Sequence, residues 1–188
     1  MTEIETIGSF QILVDSDSCP TQIRAIIIRA CRKHDIPAVF AADRPIPDVM
    51  VAIAEHTRDL RQKYMAAGHS ADEAHDIRST IRMHLVPTGE NSADDYMVTE
   101  CRAGNLCVTR DILLASRLIE KEAIAITDRG QVLNHSNIAQ RLSEKNINSA
   151  FREAGMFSTE QNKPLSSTDV RNFANSFSSL LQKARPAN

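Results

Sequence analysis

The sequence predicts an α/β fold: a parallel sheet of about five strands flanked by helices on both faces. Three observations lead there. Short apolar runs, QILVD, AVFAA, MHLV, NLCVT and AIAIT, recur along the chain. Segments whose apolar residues return at helical spacing separate them. Strand and helix therefore alternate, and such crossover units cover both faces of a parallel sheet. The 188 residues suffice for one sizeable core and are few for two, so a single domain over 1–188 is expected. A hydrophobic share of 42% excludes a disordered chain, while 4% aromatics and no tryptophan predict an aliphatic core.

The first strand, QILVD, runs into Pro20, a residue suited to a helix start, and then into TQIRAIIIRACRKH, where Ile23, Ile26, Ile27 and Ala30 share a face. Pro37 opens the second run, AVFAA, and DRPIP closes it with turn chemistry. From Met50 to Ala67 the positions Met50, Ile53, Leu60, Tyr64 and Ala67 fit one stripe, read as core or as a contact between two copies of the chain, and Gly68 is a fitting stop. Ser70 with Glu73 forms a capping box that begins a shorter helix reaching about Thr80. MHLV before Pro87 reads as a third strand, at an edge. Ser92 precedes a helix carrying Asp94 and Asp95, and Gly104 turns the chain into NLCVT. ILLASRLIEKE is then helical, AIAIT is the fifth strand, and DRG is a turn. Helices at about 137–154 and 168–183 close the chain, the last introduced by SSTD, a second capping box, after the loop NKPLSS.

Composition narrows the function classes. A formal net charge of −2 gives no long-range pull on a polyanion, so nucleic acid must be met by a local basic patch. The start, MTEIETIGSF, is acidic where a secretory leader is basic, and no apolar stretch approaches the roughly 20 residues that span a bilayer. A cytoplasmic protein with no membrane partner is expected. Cys19, Cys31, Cys101 and Cys107 form no CxxC pair, which predicts reduced core thiols rather than a zinc site, and the six histidines show no HExxH.

The candidate chemistry lies in acids. VDSDSCP sets Asp15 and Asp17 one residue apart at a strand end. If the strand runs through both, they share a face and repel by about 4 kcal/mol at roughly 4 Å and an effective dielectric near 20. In parallel sheets ligands bind beyond the carboxyl ends of the strands where strand order reverses. That rim would receive Asp15, Asp17 and Asp111, with Asp128 further out, and a helix starting there adds Asp94 or Asp95. Such a cluster sheds its repulsion by raised pKa values, by pairing with Arg, or by binding a cation. Hard oxygen ligands suit Mg²⁺ or Mn²⁺, which activate water and stabilise the leaving oxygen in phosphodiester hydrolysis. Each acid also has a bland role, as a helix cap or a dipole partner. Arg44, Arg110 and Arg129 follow strands and are candidates for substrate phosphate.

VDSDSCP, ADRP, VPTGENSADDY, GNLCVTRDILLA, DRG and FANSF, in this order over nearly the whole chain, resemble the YaiI/YqxD family of bacterial proteins. The resemblance implies a PIN-like fold, related to metal-dependent nucleases. It matches Asp15 to the first-strand aspartate of that fold, Asp94 or Asp95 to the mid-chain acid, and Asp111 to the aspartate after strand four. Asp15, Asp95 and Asp111 are thereby the catalytic candidates, and Asp15, Asp17, Asp94, Asp95 and Asp111 the candidate ligands of Mg²⁺ or Mn²⁺. Residues 47–80 look like a helical insertion relative to the family, suited to a homodimer contact. Arg110 and Asn105 stand where the family carries a small and an acidic residue.

Three functions remain open: a Mg²⁺- or Mn²⁺-dependent nuclease acting on nucleic acid, foremost RNA; a non-catalytic scaffold binding RNA or protein; and an aspartyl phosphatase using the DxD of VDSDSCP. Against the last, no lysine lies between residues 64 and 120 to serve as its usual partner.

Overall fold

The computed structural model describes residues 10–87, 92–153 and 164–184. Residues 1–9, the TGEN of VPTGENSADDY, the NK of NKPLSS and Ala154, the expected end of a helix, lie outside them. Along the chain come β1 (Ile12–Asp15), α1 (Thr21–His34), β2 (Ala38–Ala42), α2 (Pro47–Ala66), α3 (Ala71–Ala74), β3 (Ile81–Leu85), α4 (Ser92–Glu100), β4 (Leu106–Val108), α5 (Ile112–Ile119), β5 (Ile124–Ile126), β6 (Val132–Leu133), α6 (Ile138–Glu153) and α7 (Ser167–Ala184). The strands form one sheet in the order β3-β2-β1-β4-β5-β6. All pairings are parallel except β5 with β6, which is antiparallel. The α/β architecture with helices on both faces is thus observed, with β3 at an edge. β6 is one strand more than expected: the DRG turn reverses the chain into a two-residue run too short for a period to show.

Alternation along the strands sorts the core into two layers. Ile12 and Val14 of β1 join Phe40, Ile23, Ile27, Phe173 and Phe177 on the side of α1, α2 and α7. Leu13 joins Val39, Cys107, Met97, Leu114, Leu118 and Ile138 on the side of α4, α5 and α6. By the period of two, Asp15 follows Leu13 onto this second face. The chain leaves β1 toward β2 on one side and returns in β4 on the other, so strand order reverses between β1 and β4.

The segment 47–80 is helical as expected, but its buried face is not the predicted stripe. Val49, Ala52 and His56 are buried, whereas Met50 is 47% exposed. The predicted positions are about one residue out of phase because Val51, Ala52 and Ile53 in succession leave the stripe's phase ambiguous. α2 is the crossover helix between β2 and β3, tied to α1 by Arg24 with Asp48 at 2.9 Å and Arg32 with Asp59 at 2.7 Å. The Ser70–Glu73 capping box forms, yet α3 lasts only to Ala74 and does not reach Thr80. The second capping box is also present: Ser166 and Asp169 exchange backbone and side-chain bonds at 2.9 and 3.1 Å at the start of α7.

His56 is 1% exposed and bridges three elements. Its Nε2 lies 3.1 Å from Oδ1 of Asp35, at the left-handed cap of α1, and its Nδ1 lies 3.0 Å from Oγ of Ser79, just before β3. A carboxylate only accepts, so Nε2 donates to Asp35. Ser79 Oγ in turn accepts the N–H of Ile81 at 2.9 Å. The order resembles a hydrolytic triad, but the histidine is sealed and the Asp35 side chain is 49% exposed, the arrangement of a structural clamp. His56→Ala is expected to lower unfolding free energy in urea by about 2–4 kcal/mol, and Ser79→Ala by about 1 kcal/mol.

Candidate active site at the sheet switch point

β1 ends at Asp15, where residues 16–19 form a turn in which the Ser18 hydroxyl reaches back to the Asp15 carbonyl at 3.4 Å, while the Ser16 N–H still donates across to Ala41 O of β2 at 2.9 Å. Asp15 is 7% exposed. Its Oδ2 accepts two hydroxyls, Ser18 at 2.6 Å and Thr109 at 2.9 Å. Among the described residues nothing hydrogen-bonds its Oδ1. Thr109, one strand over, also accepts the Asp111 N–H at 3.0 Å, which links the ends of β1 and β4 through a single hydroxyl.

The turn separates the two acids of VDSDSCP. The strand does not run through both acids, so Asp17 does not follow Asp15 onto one face; its Oδ2 accepts the Asp43 N–H at 3.1 Å, toward the loop after β2.

The acids of α4 divide. Asp94 is half-buried, and its carboxyl is pushed above the ordinary aspartate value, first by burial and then by the negative charges of Asp15 and Asp111. Asp95 is turned out, its side chain 64% exposed and paired with Arg117 of α5 at 2.7 Å. The two residues are about 100° apart on the helix, enough to aim one at the sheet and the other along the flank.

Asp111 caps α5 by accepting the Leu113 N–H at 2.8 Å, and Lys145 of α6 reaches it at 3.0 Å. Burial raises its pKa, but the lysine and the helix N–H groups outweigh this and hold it below the ordinary value. A depressed carboxylate contributes stability above its unfolded pKa, lost as pH falls through the folded one. Lys145→Met is therefore expected to move the Asp111 titration upward and to weaken this acid-range contribution, read by carboxyl NMR over pH 2–5 (roughly).

The predicted arginines are mostly engaged. Arg110 pairs with buried Asp128 at 3.2 Å, and Arg129 with Asp169 at 2.6 Å. Asp128 is raised by burial, Arg110 and Arg129 offsetting part of this. Arg44 is 69% exposed, with Asp17 and Asp43 only at 3.9 Å. Thr109 and Lys145 were not singled out by sequence reasoning. Thr109 follows from alternation, two residues after Cys107 and one strand from Asp15; nothing local to Lys145 points to Asp111.

Among the described residues no three acids, histidines or cysteines are gathered closely enough to grip an ion unaided. Magnesium commonly takes one or two carboxylates and completes its shell with water and substrate phosphate. The donor set of Asp15 and Asp94, all hard oxygens, suits that mode. None of the described helices is long and apolar enough to cross a membrane.

Residues 45–183 match the family model described as "Uncharacterized BCR, YaiI/YqxD family". Relatives named UPF0178 protein include one from Treponema pallidum, 32% identical over 92% of this chain and 84% of its own length. One from Psychromonas ingrahamii is 28% identical over 93% and 97%, and one from Xanthomonas campestris is 33% identical over 79% and 76%. No solved structure matches. With three quarters of its length covered by the family model and relatives aligned almost end to end, the chain belongs to the YaiI/YqxD family.

Proposed function

We propose that the rim between β1 and β4 is the site of a Mg²⁺- or Mn²⁺-dependent nuclease, which hydrolyses phosphodiester bonds of nucleic acid, foremost RNA. One observation carries the reading: acids from β1, α4 and the cap of α5, far apart in sequence, converge at the switch point closely enough that two of them raise the proton affinity of the third. Asp15 and Asp94 would hold the cation, with Asp111 behind them. When bound, the ion polarises the scissile phosphate and makes water a better nucleophile.

The chain's own groups set the geometry. The Ser18 and Thr109 hydroxyls fix Asp15 in one orientation and leave Oδ1 for a ligand. Asp94 brings a carboxylate to which no cationic side chain is bonded among the described residues, which favours gaining a cation. Lys145 holds Asp111 ionised. Arg44 is the most exposed of the three arginines, which supports assigning a substrate phosphate to it.

A second reading, binding of nucleic acid without cleavage, draws on the engagement of Asp111 by Lys145 and the α5 cap. Labelled single-stranded RNA and DNA incubated with Mn²⁺, and with EDTA as control, separate the two. The nuclease reading expects metal-dependent fragments. Binding without fragments, retained in Asp15→Asn, would establish the scaffold instead.

A further inference from the structure

α4 carries Asp94 near its start, and one residue past its end lies Cys101, 2% exposed. Its Sγ stands 3.9 Å from that of Cys107, in the middle of β4 and fully buried. The two thiols touch, although neither belongs to a CxxC motif and both are reduced. We propose that Cys101 and Cys107 form a redox-modification site, at which a peroxide oxidises the pair to an intramolecular disulfide tying the end of α4 to β4. This rests on the thiol geometry and not on the nuclease reading.

The chemistry divides between the two sulfurs. Cys101 is the attacking thiol: the hydrogen bond from Cys107 holds its pKa below the ordinary thiol value against the effect of burial, with Lys121 and Arg102 helping. Its thiolate attacks one peroxide oxygen, breaking the O–O bond and giving Cys101 sulfenic acid and hydroxide, which takes up the displaced proton as water. Cys107 then attacks the sulfenic sulfur, the S–O bond breaks, and the thiol proton leaves with the hydroxyl as a second water. Two electrons pass from the sulfurs to the peroxide, and two waters form. Closing the contact from 3.9 Å to a disulfide of about 2.05 Å needs a movement of roughly 2 Å at the helix end.

The connection between the cysteines offers a route for that movement. Arg102, Ala103 and Gly104 are exposed, and Gly104 takes φ +79°. Asn105, fully buried, accepts the Arg102 N–H through its Oδ1 at 3.0 Å but leaves its Nδ2 without a hydrogen-bond partner among the described residues, an unsatisfied buried group in this turn. Local opening there admits the oxidant without unfolding the sheet. Among the described residues no contact between thiols is recorded for Cys19 or Cys31, and each is pushed up to about 12, chiefly by burial.

The test uses the native full chain treated with hydrogen peroxide, alkylated under denaturing conditions and mapped by mass spectrometry. The expected result is a peptide pair joined through Cys101 and Cys107, two hydrogens lighter and reversed by dithiothreitol, forming at least about tenfold faster than any loss of Cys19 or Cys31. In Cys107→Ser the sulfenic acid should persist at Cys101 and be captured by dimedone. Four free thiols after treatment, a linkage between two molecules, or over-oxidation of Cys101 with Cys107 left free would each overturn the proposal. The wild-type map decides even where the variant fails to fold.

Discussion

Gly130→Ala is expected to destabilise the protein by about 3–5 kcal/mol and to lower its melting temperature by roughly 10 °C. Gly130 closes the DRG turn at φ +80°, with α7 lying against it. A Cβ there would stand 2.5 Å from the carbonyl carbon of Asn172 and the nitrogen of Phe173, and 2.6 Å from the Asn172 oxygen. These are backbone atoms, so no side chain can swing aside and α7 itself must retreat. Retreat uncovers Phe173 and Phe177, whose rings stack at 5.3 Å against β1 and β2 in the first core layer. Gly104→Ala is the matched control. It shares a positive φ, +79°, but its Cβ would meet nothing within 4 Å, so only backbone strain of about 1 kcal/mol is expected. Thermal melts of the two variants compare contact with conformation; equal losses would show that the close packing of α7 on the turn does not matter.

The second large effect separates two adjacent acids. Asp94→Asn is expected to reduce Mn²⁺-dependent cleavage by about 100-fold or more, and Asp95→Asn to leave it within roughly twofold, since only Asp94 is turned to Asp15 and Asp111. Stability should move the other way. Because the folded pKa of Asp94 is raised, its ionisation opposes folding: the penalty is absent below the unfolded value near 3.8, grows as pH rises through the folded value, and is constant above it. Solvent screening at this half-buried position limits the gain, so Asp94→Asn is expected to melt about 1–2 °C above the parent at pH 7 and equally with it near pH 3. A variant that is more stable and less active marks a group kept for chemistry at the expense of the fold.

The sheet was legible because β1, β2 and β4 are buried, largely apolar runs separated by segments of helical period, and because parallel crossovers leave few topologies. The capping boxes at Ser70 and Ser166 read directly, since each is a local hydrogen-bonding pattern of four residues. What did not read was phase and contact. The stripe of α2 slipped by about one residue among consecutive aliphatics, and β6 was hidden in a two-residue strand that exists only because β5 offers it an edge. At the rim, topology pointed to Asp15, Asp111 and one or both of Asp94 and Asp95, without deciding between the last two. The divergence of Asp17 depended on where a turn began, and the reach of Lys145 to Asp111 depended on how α6 packs on α5, neither of which a local pattern records.

The account rests on Asp15 and Asp94 sharing a cation at the reversal of strand order. A crystal grown from this chain and soaked in Mn²⁺, measured for anomalous scattering, puts that to the question directly. The predicted result is a peak with oxygens of Asp15 and Asp94 within about 2.0–2.3 Å of it, lost in Asp94→Asn. A rim without a peak at saturating Mn²⁺, its Asp94 simply protonated, would contradict it.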